Sequence, residues 1–410
     1  MRLNLELRGS QLLLAASDEV RSRSEISEAR GRQVRWVAGE YSRALAHPEH
    51  PLADDADAAV LFARDAIDAY LALAARGELR VRRAAKPESG DHSRQIRIEV
   101  LALLAQAIGV DADLPPQPDP VRKAPVGKRP RSLLRASLAE LADQGDALPG
   151  QVRMLAIGAM VVDTGARSGE LCACRIEDLS PSLEEVRLVR RPQGWSEAQA
   201  YAEVLQLSGL STAALRRWLP ERLALVERGN DSTLALWVSL HGNHREGHAV
   251  PAGIPLQTRG LARAWSRAVA EANVAMAGQP SWSPLPTRME QLRRGVSPKA
   301  SPAPMQPDAE RAAALLEDVA RKGEELAAAR RPGEPGGTVS LEARGAVRKA
   351  VREAWAEGIE HAVQLSVLAD AGLADDAGLA AAGWEPALLA AIDRASGWGR
   401  FSKAAASSKA

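Results

Sequence analysis

The segment Pro115-Pro116-Gln117-Pro118-Asp119-Pro120 constrains this chain more than any other. Alternating prolines fix φ and remove backbone donors, so neither a helix nor an inner strand passes through it, and the chain must fold as separate bodies on either side. A length of 410 residues agrees with that, at roughly 100–200 residues per domain. The hydrophobic fraction of 46% and charged fraction of 26% are those of a chain able to bury sizeable cores.

Basic residues number 53 and acidic residues 52, so no whole-molecule field favours indiscriminate binding to nucleic acid or membrane. Affinity for a polyanion must be local. Arginine outnumbers lysine 45 to 8, and no lysine lies between Lys128 and Lys299. The two cysteines, Cys172 and Cys174, point in different directions on a helix, which excludes a disulfide scaffold and suits a reducing cytoplasm. No early apolar run has the length of a signal or membrane segment, so a cytoplasmic location with no membrane partner is expected.

The pattern divides as follows. Residues 1–25 read as an N-terminal arm, 26–115 as a small all-helical domain, and 116–130 as a Pro-rich linker whose basic end carries Arg122, Lys123, Lys128 and Arg129, with Arg131 just beyond. Such a linker is either a soluble hinge or a segment lying along DNA. The loop from Arg80 to Lys86 is likewise a solvated surface or a DNA-facing connection. Residues 131–297 read as a mixed domain: helices near 133–141, 152–164, 211–228 (interrupted by Pro220) and 258–277, with strands at 184–191, 202–208 and 233–240. Residues 298–339 read as a Pro/Gly-rich linker with one helix, and 340–403 as a C-terminal helical region. There Val347, Val351, Trp355, Ile359 and Val363 form a stripe that requires a partner surface, and Arg344, Arg348 and Arg352 form a second one.

The most informative stretch runs from Asp163 to Leu179. An apolar helix ends at Gly165, a residue that tolerates positive φ, and Arg167 follows just before a new helix with Glu170 in its first turn. A guanidinium at that junction can meet a phosphate or brace the turn by pairing with Glu170 or Asp178.

Thr164, Gly165, Arg167, Glu170, Leu171 and Asp178 together resemble the first active-site arginine motif of the tyrosine recombinases, the phage-integrase family. The order that follows, strand pair, helix near Trp218, strand near Trp237 and helix at Leu261–Trp265, is similar as well, and the resemblance spans about residues 26–290. It implies a mainly α fold with a small β-sheet: a helical core-binding (SAM-like) domain, a tyrosine-recombinase catalytic-like α+β domain and, beyond the resemblance, a helical C-terminal extension. It also implies a double-stranded DNA partner, with a partner recombinase or self-association as further contacts, and no cofactor.

The reaction that the resemblance implies needs a tyrosine nucleophile, two arginines on the phosphate, a hairpin lysine as acid and a histidine as base. Arg167 matches the first arginine and Arg288, in Leu285-Pro286-Thr287-Arg288, stands where the second belongs. Arg190 and Arg191 occupy the ground of the missing lysine, Leu285 that of the histidine, and no tyrosine follows Tyr201 among the three in the chain. The expectation is therefore a DNA-binding relative unable to cleave by itself and accessory to integration or excision of a mobile element. Two rivals stand beside it: an active integrase with a displaced or partner-supplied nucleophile, and a partner-binding scaffold acting through the C-terminal stripe. His241, His244 and His248 near Asp231 lie in a Gly-rich loop that does not aim their rings together, so no metal is expected. No Gly-rich nucleotide loop and no Gly-x-Ser-x-Gly elbow occurs.

Overall fold

The computed structural model describes residues 7–24, 26, 28–81, 90–116, 128–142, 147–191, 199–229, 232–245, 248–280, 282–294, 296–330 and 341–396. It divides into two compact units, Met1–Arg122 and Lys123–Ala410. The break falls where the alternating prolines end.

The first unit is helical among its described residues: α1 (Gly9–Ser22), α2 (Glu28–Leu45), α3 (Ala58–Leu61), α4 (Arg64–Arg76) and α5 (Asp91–Ile108). The expected arm is corrected here. Leu12, Leu13, Ala16 and Val20 lie on one helical face and are almost fully buried, and α1 packs along α2. Its short apolar run is too brief to stand out in sequence, yet it covers the core of the unit. The basic loop, from residue 82 on, lies outside the described residues. Two of the three tyrosines are consumed in this core: Tyr41 Oη donates to the Leu61 carbonyl, and Tyr70 Oη donates to Glu40 at 2.9 Å. Glu40 is also paired with the buried Arg97 at 2.6 Å.

The second unit contains α6 (Lys128–Ala142), α7 (Pro149–Thr164), α8 (Ser168–Ala173), a 3-10 turn at Ile176–Asp178, β1 (Glu185–Arg190), β2 (Tyr201–Gln206), α9 (Gly209–Arg228), β3 (Asn243–Arg245), β4 (His248–Val250), α10 (Thr258–Ala275), α11 (Met289–Arg293), β5 (Ala300–Ala303), α12 (Ala309–Ala329), α13 (Leu341–Glu357), α14 (His361–Asp370), α15 (Asp376–Ala381) and α16 (Pro386–Ser396). Its centre is α7, apolar around most of its circumference and packed against α6, α9, α10 and α11. Gly158 permits this closeness, because a Cβ there would meet the Trp265 ring at 3.1 Å and Leu138 at 3.2 Å.

Several expectations change. Residues Lys128, Arg129 and Arg131 open α6 and are not linker; Pro130 sits in the first turn, where a missing N–H costs nothing. Helix α9 runs through the exposed Pro220 without interruption. Residues 233–240 make only isolated bridges, at Ala235 and Val238. The third strand of the sheet is instead β5, in the supposed linker, and the order is β1-β2-β5, antiparallel throughout. Pro302 is accommodated because β5 is an edge strand, which tolerates a residue without a donor.

The C-terminal helices belong to the same core. Val347, Val351 and Trp355 are almost fully buried, Ile359 nearly so, and the Trp355 indole donates to the Glu177 carbonyl. Arg352 pairs with Glu185, and Arg348 donates to the Ala381 carbonyl at 3.0 Å. The surface that the first four residues of the stripe require is their own chain, whereas Val363, the fifth, is 42% exposed.

Candidate functional site

Helix α7 stops at Gly165, whose φ of 64° reverses the chain. Thr164 seals that end: its hydroxyl donates to the Met160 carbonyl and accepts from the Ala166 amide. Asp163 ties the same turn to its neighbours, accepting from Ser208 and Ser211 of the α9 entry and pairing with Arg135 of α6. Arg167 is thus carried on an anchored junction.

Glu170 then organises the junction. One carboxylate oxygen accepts from the Arg167 amide at 2.9 Å and from Arg190 Nη1 at 2.8 Å, and the other accepts from Arg167 Nη1 at 3.1 Å. Arg167 Nη1 also donates to the Arg191 carbonyl at 3.0 Å, which ties the guanidinium to the end of β1. Its Nε is buried with no protein partner. The main-chain amide of Arg167, at the N-cap of α8, is thus spent on Glu170.

Arg190 is more completely engaged, with Glu203, Glu170 and the Thr164 carbonyl, the last at 2.6 Å. Burial works against its charge, but the hydrogen bonds of Glu203 and Glu170 outweigh it and raise its pKa further. A group so held does not release a proton, so Arg190 does not replace the lysine as an acid.

Around these residues lies an open cavity of about 670 Å³. Thr164, Gly165, Arg167 and Glu170 form one wall, Arg190, Tyr201 and Glu203 of the hairpin a second, and Arg293, Arg294, Val296 and Pro298 a third. Glu290 receives both guanidinium donors of Arg293, at 2.6 and 2.7 Å, and one from Arg294 at 3.0 Å. Burial raises its pKa, but those bonds prevail and hold the carboxyl below its usual range. Four arginines against the two carboxylates in the walls give the cavity a positive excess.

Not every expected residue is here. Arg288 caps α11 with an exposed side chain and does not line the cavity; Arg293 and Arg294, one turn onward, do. Leu285, in the place of the histidine, is a core residue. Asp178 caps the 3-10 turn, accepting from the Arg175 amide at 2.7 Å, and burial pushes its carboxyl up to about 6. Arg191 contributes its carbonyl, with its side chain exposed. Arg122 and Lys123 lie outside the described residues, as do the side chains of Lys128, Arg129 and Arg131. Asp231 and the rings of His244 and His248 are also outside them; β3 and β4 pair as a hairpin, and among the described residues no group of three metal donors occurs. Burial pushes the Cys172 thiol up to about 11, which suits a packed side chain.

Sequence reasoning passed over Tyr201, Arg293 and Arg294. It also passed over Arg259, Arg263 and Arg267, which α10 presents as an exposed stripe about 12 Å long with no ion pair among the described residues. Their four-residue spacing was visible in the sequence.

In fold, the chain is similar to solved recombinases. XerH site-specific recombinase bound to difH substrate is 12% identical, with a TM-score of 0.41, covering 71% of this chain and 86% of that one. The Tn1549 transposon integrase in complex with circular intermediate DNA is 13% identical, with a TM-score of 0.40, covering 88% and 95%. XerA recombinase is 17% identical, with a TM-score of 0.26, covering 69% and 81%. No family model matches the sequence, and no curated protein matches it. Likenesses of this depth carry no chemistry over to the chain.

Proposed function

We propose that this protein binds double-stranded DNA in the manner of a tyrosine recombinase, seating a backbone phosphate at Arg167, and serves as an accessory to recombination or integration of a mobile element in the cytoplasm. The observation that carries the reading is the place of Arg167 in the wall of a cavity with an arginine excess, its buried Nε left without a protein partner. A guanidinium with an unused donor in a partly desolvated site favours an anionic oxygen. The α10 arginines supply a second set of phosphate contacts. Strand cleavage by the family's ordinary route is not expected, since Arg190 is no acid and a leucine fills the place of the base. Arg288, the 122–131 segment, a partner recombinase and self-association remain proposed contacts at the edge of this reading.

The test is retention of sheared genomic DNA, with sequencing, followed by duplex binding across a salt series. Affinity is expected to fall linearly in log–log form, with a slope near −0.9 for each phosphate neutralised. Arg167→Ala should weaken binding to all sequences alike, because phosphate contacts position and do not specify. Replacing Arg259, Arg263 and Arg267 together by alanine should lower the magnitude of the slope by about 3. Unchanged affinity in Arg167→Ala would refute the phosphate seat, and an unchanged slope in the triple variant would remove α10 from the contact surface.

A further inference from the structure

We propose that helices α13–α16 are a positioning clamp for Arg167, gripping the main chain that runs between two walls of the arginine cavity. The inference rests on the reading that Arg167 seats a phosphate, and it adds what holds that seat in place.

Arg167 and Glu170 stand at the start of α8, and Arg190 and Arg191 at the far end of β1. Residues 174–184 connect α8 to β1. The connection contains Leu183, fully buried with a φ of 60°, a left-handed conformation unfavourable to a residue with a Cβ. Such a residue keeps its place only where its surroundings enforce it. Helix α9 supplies one restraint, the Thr212 hydroxyl donating to the Leu183 carbonyl at 2.9 Å.

The C-terminal helices supply the others. Alternate carbonyls of the connection are taken in turn: that of Glu177 accepts from the Trp355 indole at 3.1 Å, that of Leu179 from the His361 ring at 2.9 Å, and that of Pro181 from the Glu385 amide at 2.9 Å. Carboxylates at its two ends are held as well. Glu177 accepts from the His361 amide at 2.9 Å, and Glu185, the first residue of β1, accepts from Arg352 at 2.6 Å. A region that merely completed a core would need only its apolar face, Val347 and Val351. Its polar groups are instead directed at one stretch of main chain.

Strand β1 carries the restraint to the cavity. From Glu185 to Arg190 it spans about 16 Å and pairs with β2 along that length, so its two ends move together. At the cavity end the Arg191 carbonyl holds Arg167 Nη1 at 3.0 Å, and Arg190 shares Glu170 with Arg167. A shift of about 0.5 Å there takes the Arg191 bond to the limit of hydrogen-bonding range. The guanidinium then loses its fixed place, and a phosphate must order it on binding.

The test uses the full chain with Arg352→Gln and Trp355→Phe combined, which removes both side-chain donors while keeping most of the volume. Arg348→Ala is the control, because Arg348 bonds only the Ala380 and Ala381 carbonyls of the same helical region. Affinity for a mixed-sequence duplex is measured with and without Arg167→Ala, under conditions in which tryptophan fluorescence shows every variant folded, and hydrogen exchange is followed over residues 176–191. The expected result is affinity about 3- to 10-fold weaker in the double variant, with faster exchange over 176–191, and an unchanged affinity in Arg348→Ala. In the Arg167→Ala background the double variant should cost nothing further, since a clamp that acts through Arg167 has nothing left to position. Unchanged affinity in the double variant, an equal loss in the Arg167→Ala background, or the same loss in Arg348→Ala overturns the clamp and leaves the binding reading intact. Affinity indifferent to Arg167→Ala removes the phosphate seat and with it the clamp.

Discussion

Replacing Arg190 by methionine is expected to destabilise the 123–410 unit by about 3–5 kcal/mol. The side chain is 11% exposed and joins Glu170, at 3%, to Glu203, at 15%. Methionine preserves much of the volume, so the loss comes from charge. Two poorly solvated carboxylates would keep their desolvation penalty without their shared counterion, and the Thr164 carbonyl would lose its donor. Denaturant unfolding followed by tryptophan fluorescence isolates the effect, because eight of the nine tryptophans lie beyond residue 122 and only Trp36 precedes it. Adding Glu170→Gln and Glu203→Gln to the methionine variant should recover part of the loss. A loss under about 1 kcal/mol in the single variant would mean that water already solvates these carboxylates and that the cavity wall is not organised by Arg190.

The second large effect is expected from His361 on acidification. Its ring is fully buried, one nitrogen lies 2.9 Å from the Leu179 carbonyl, and it stands edge-on to Trp384 with centroids 4.9 Å apart. Burial lowers its pKa from 6.5 to about 4, against a smaller opposing contribution from Leu179. The unfolded chain therefore binds a proton between pH 6.5 and 4 that the folded chain refuses. Stability from this residue is complete above pH 6.5 and falls with pH through that window, by about 3 kcal/mol in all. Asp178 acts oppositely: burial raises its carboxyl from 3.8 to about 6, so the folded state gains a proton first and is favoured as pH falls from 6 towards 4. Glu177, whose carboxylate accepts from the His361 amide, is raised by burial as well. The net curve mixes these groups, so the informative quantity is the stability difference between wild type and His361→Gln, which keeps a donor and does not titrate. That difference should move against the wild type by about 2–3 kcal/mol between pH 7.5 and 4.5. A flat difference would show that the ring is solvated or protonates without leaving its place.

Both predictions concern elements that differ in how legible they were. The junction at Gly165, Arg167 and Glu170 was readable because its determinants are neighbours: a glycine at a helix end, a carboxylate three residues after the residue it caps, and an apolar helix before both. The strands at 185–190 and 201–206 were readable for the same reason, since alternation is a local property. Short or proline-bearing elements were not. Helix α1 passed for an arm because its apolar run is brief, and β5 for a linker because it carries Pro302 and its partner strand β2 lies far upstream.

By itself, the sequence determined most of the stretches that become helix and that an arginine stands at a glycine-terminated helix junction. These follow from dihedral restriction, hydrophobic period and capping, all of which act within a few residues. Tertiary structure alone decided that Tyr201, Arg293 and Arg294 complete the cavity begun by Arg167, that Arg288 does not, and that Val347, Val351 and Trp355 are covered by their own chain. The reason is physical: strand register and helix packing bring together residues as many as 184 positions apart, and only the closure of one core around α7 determines which of several arginines face the same space.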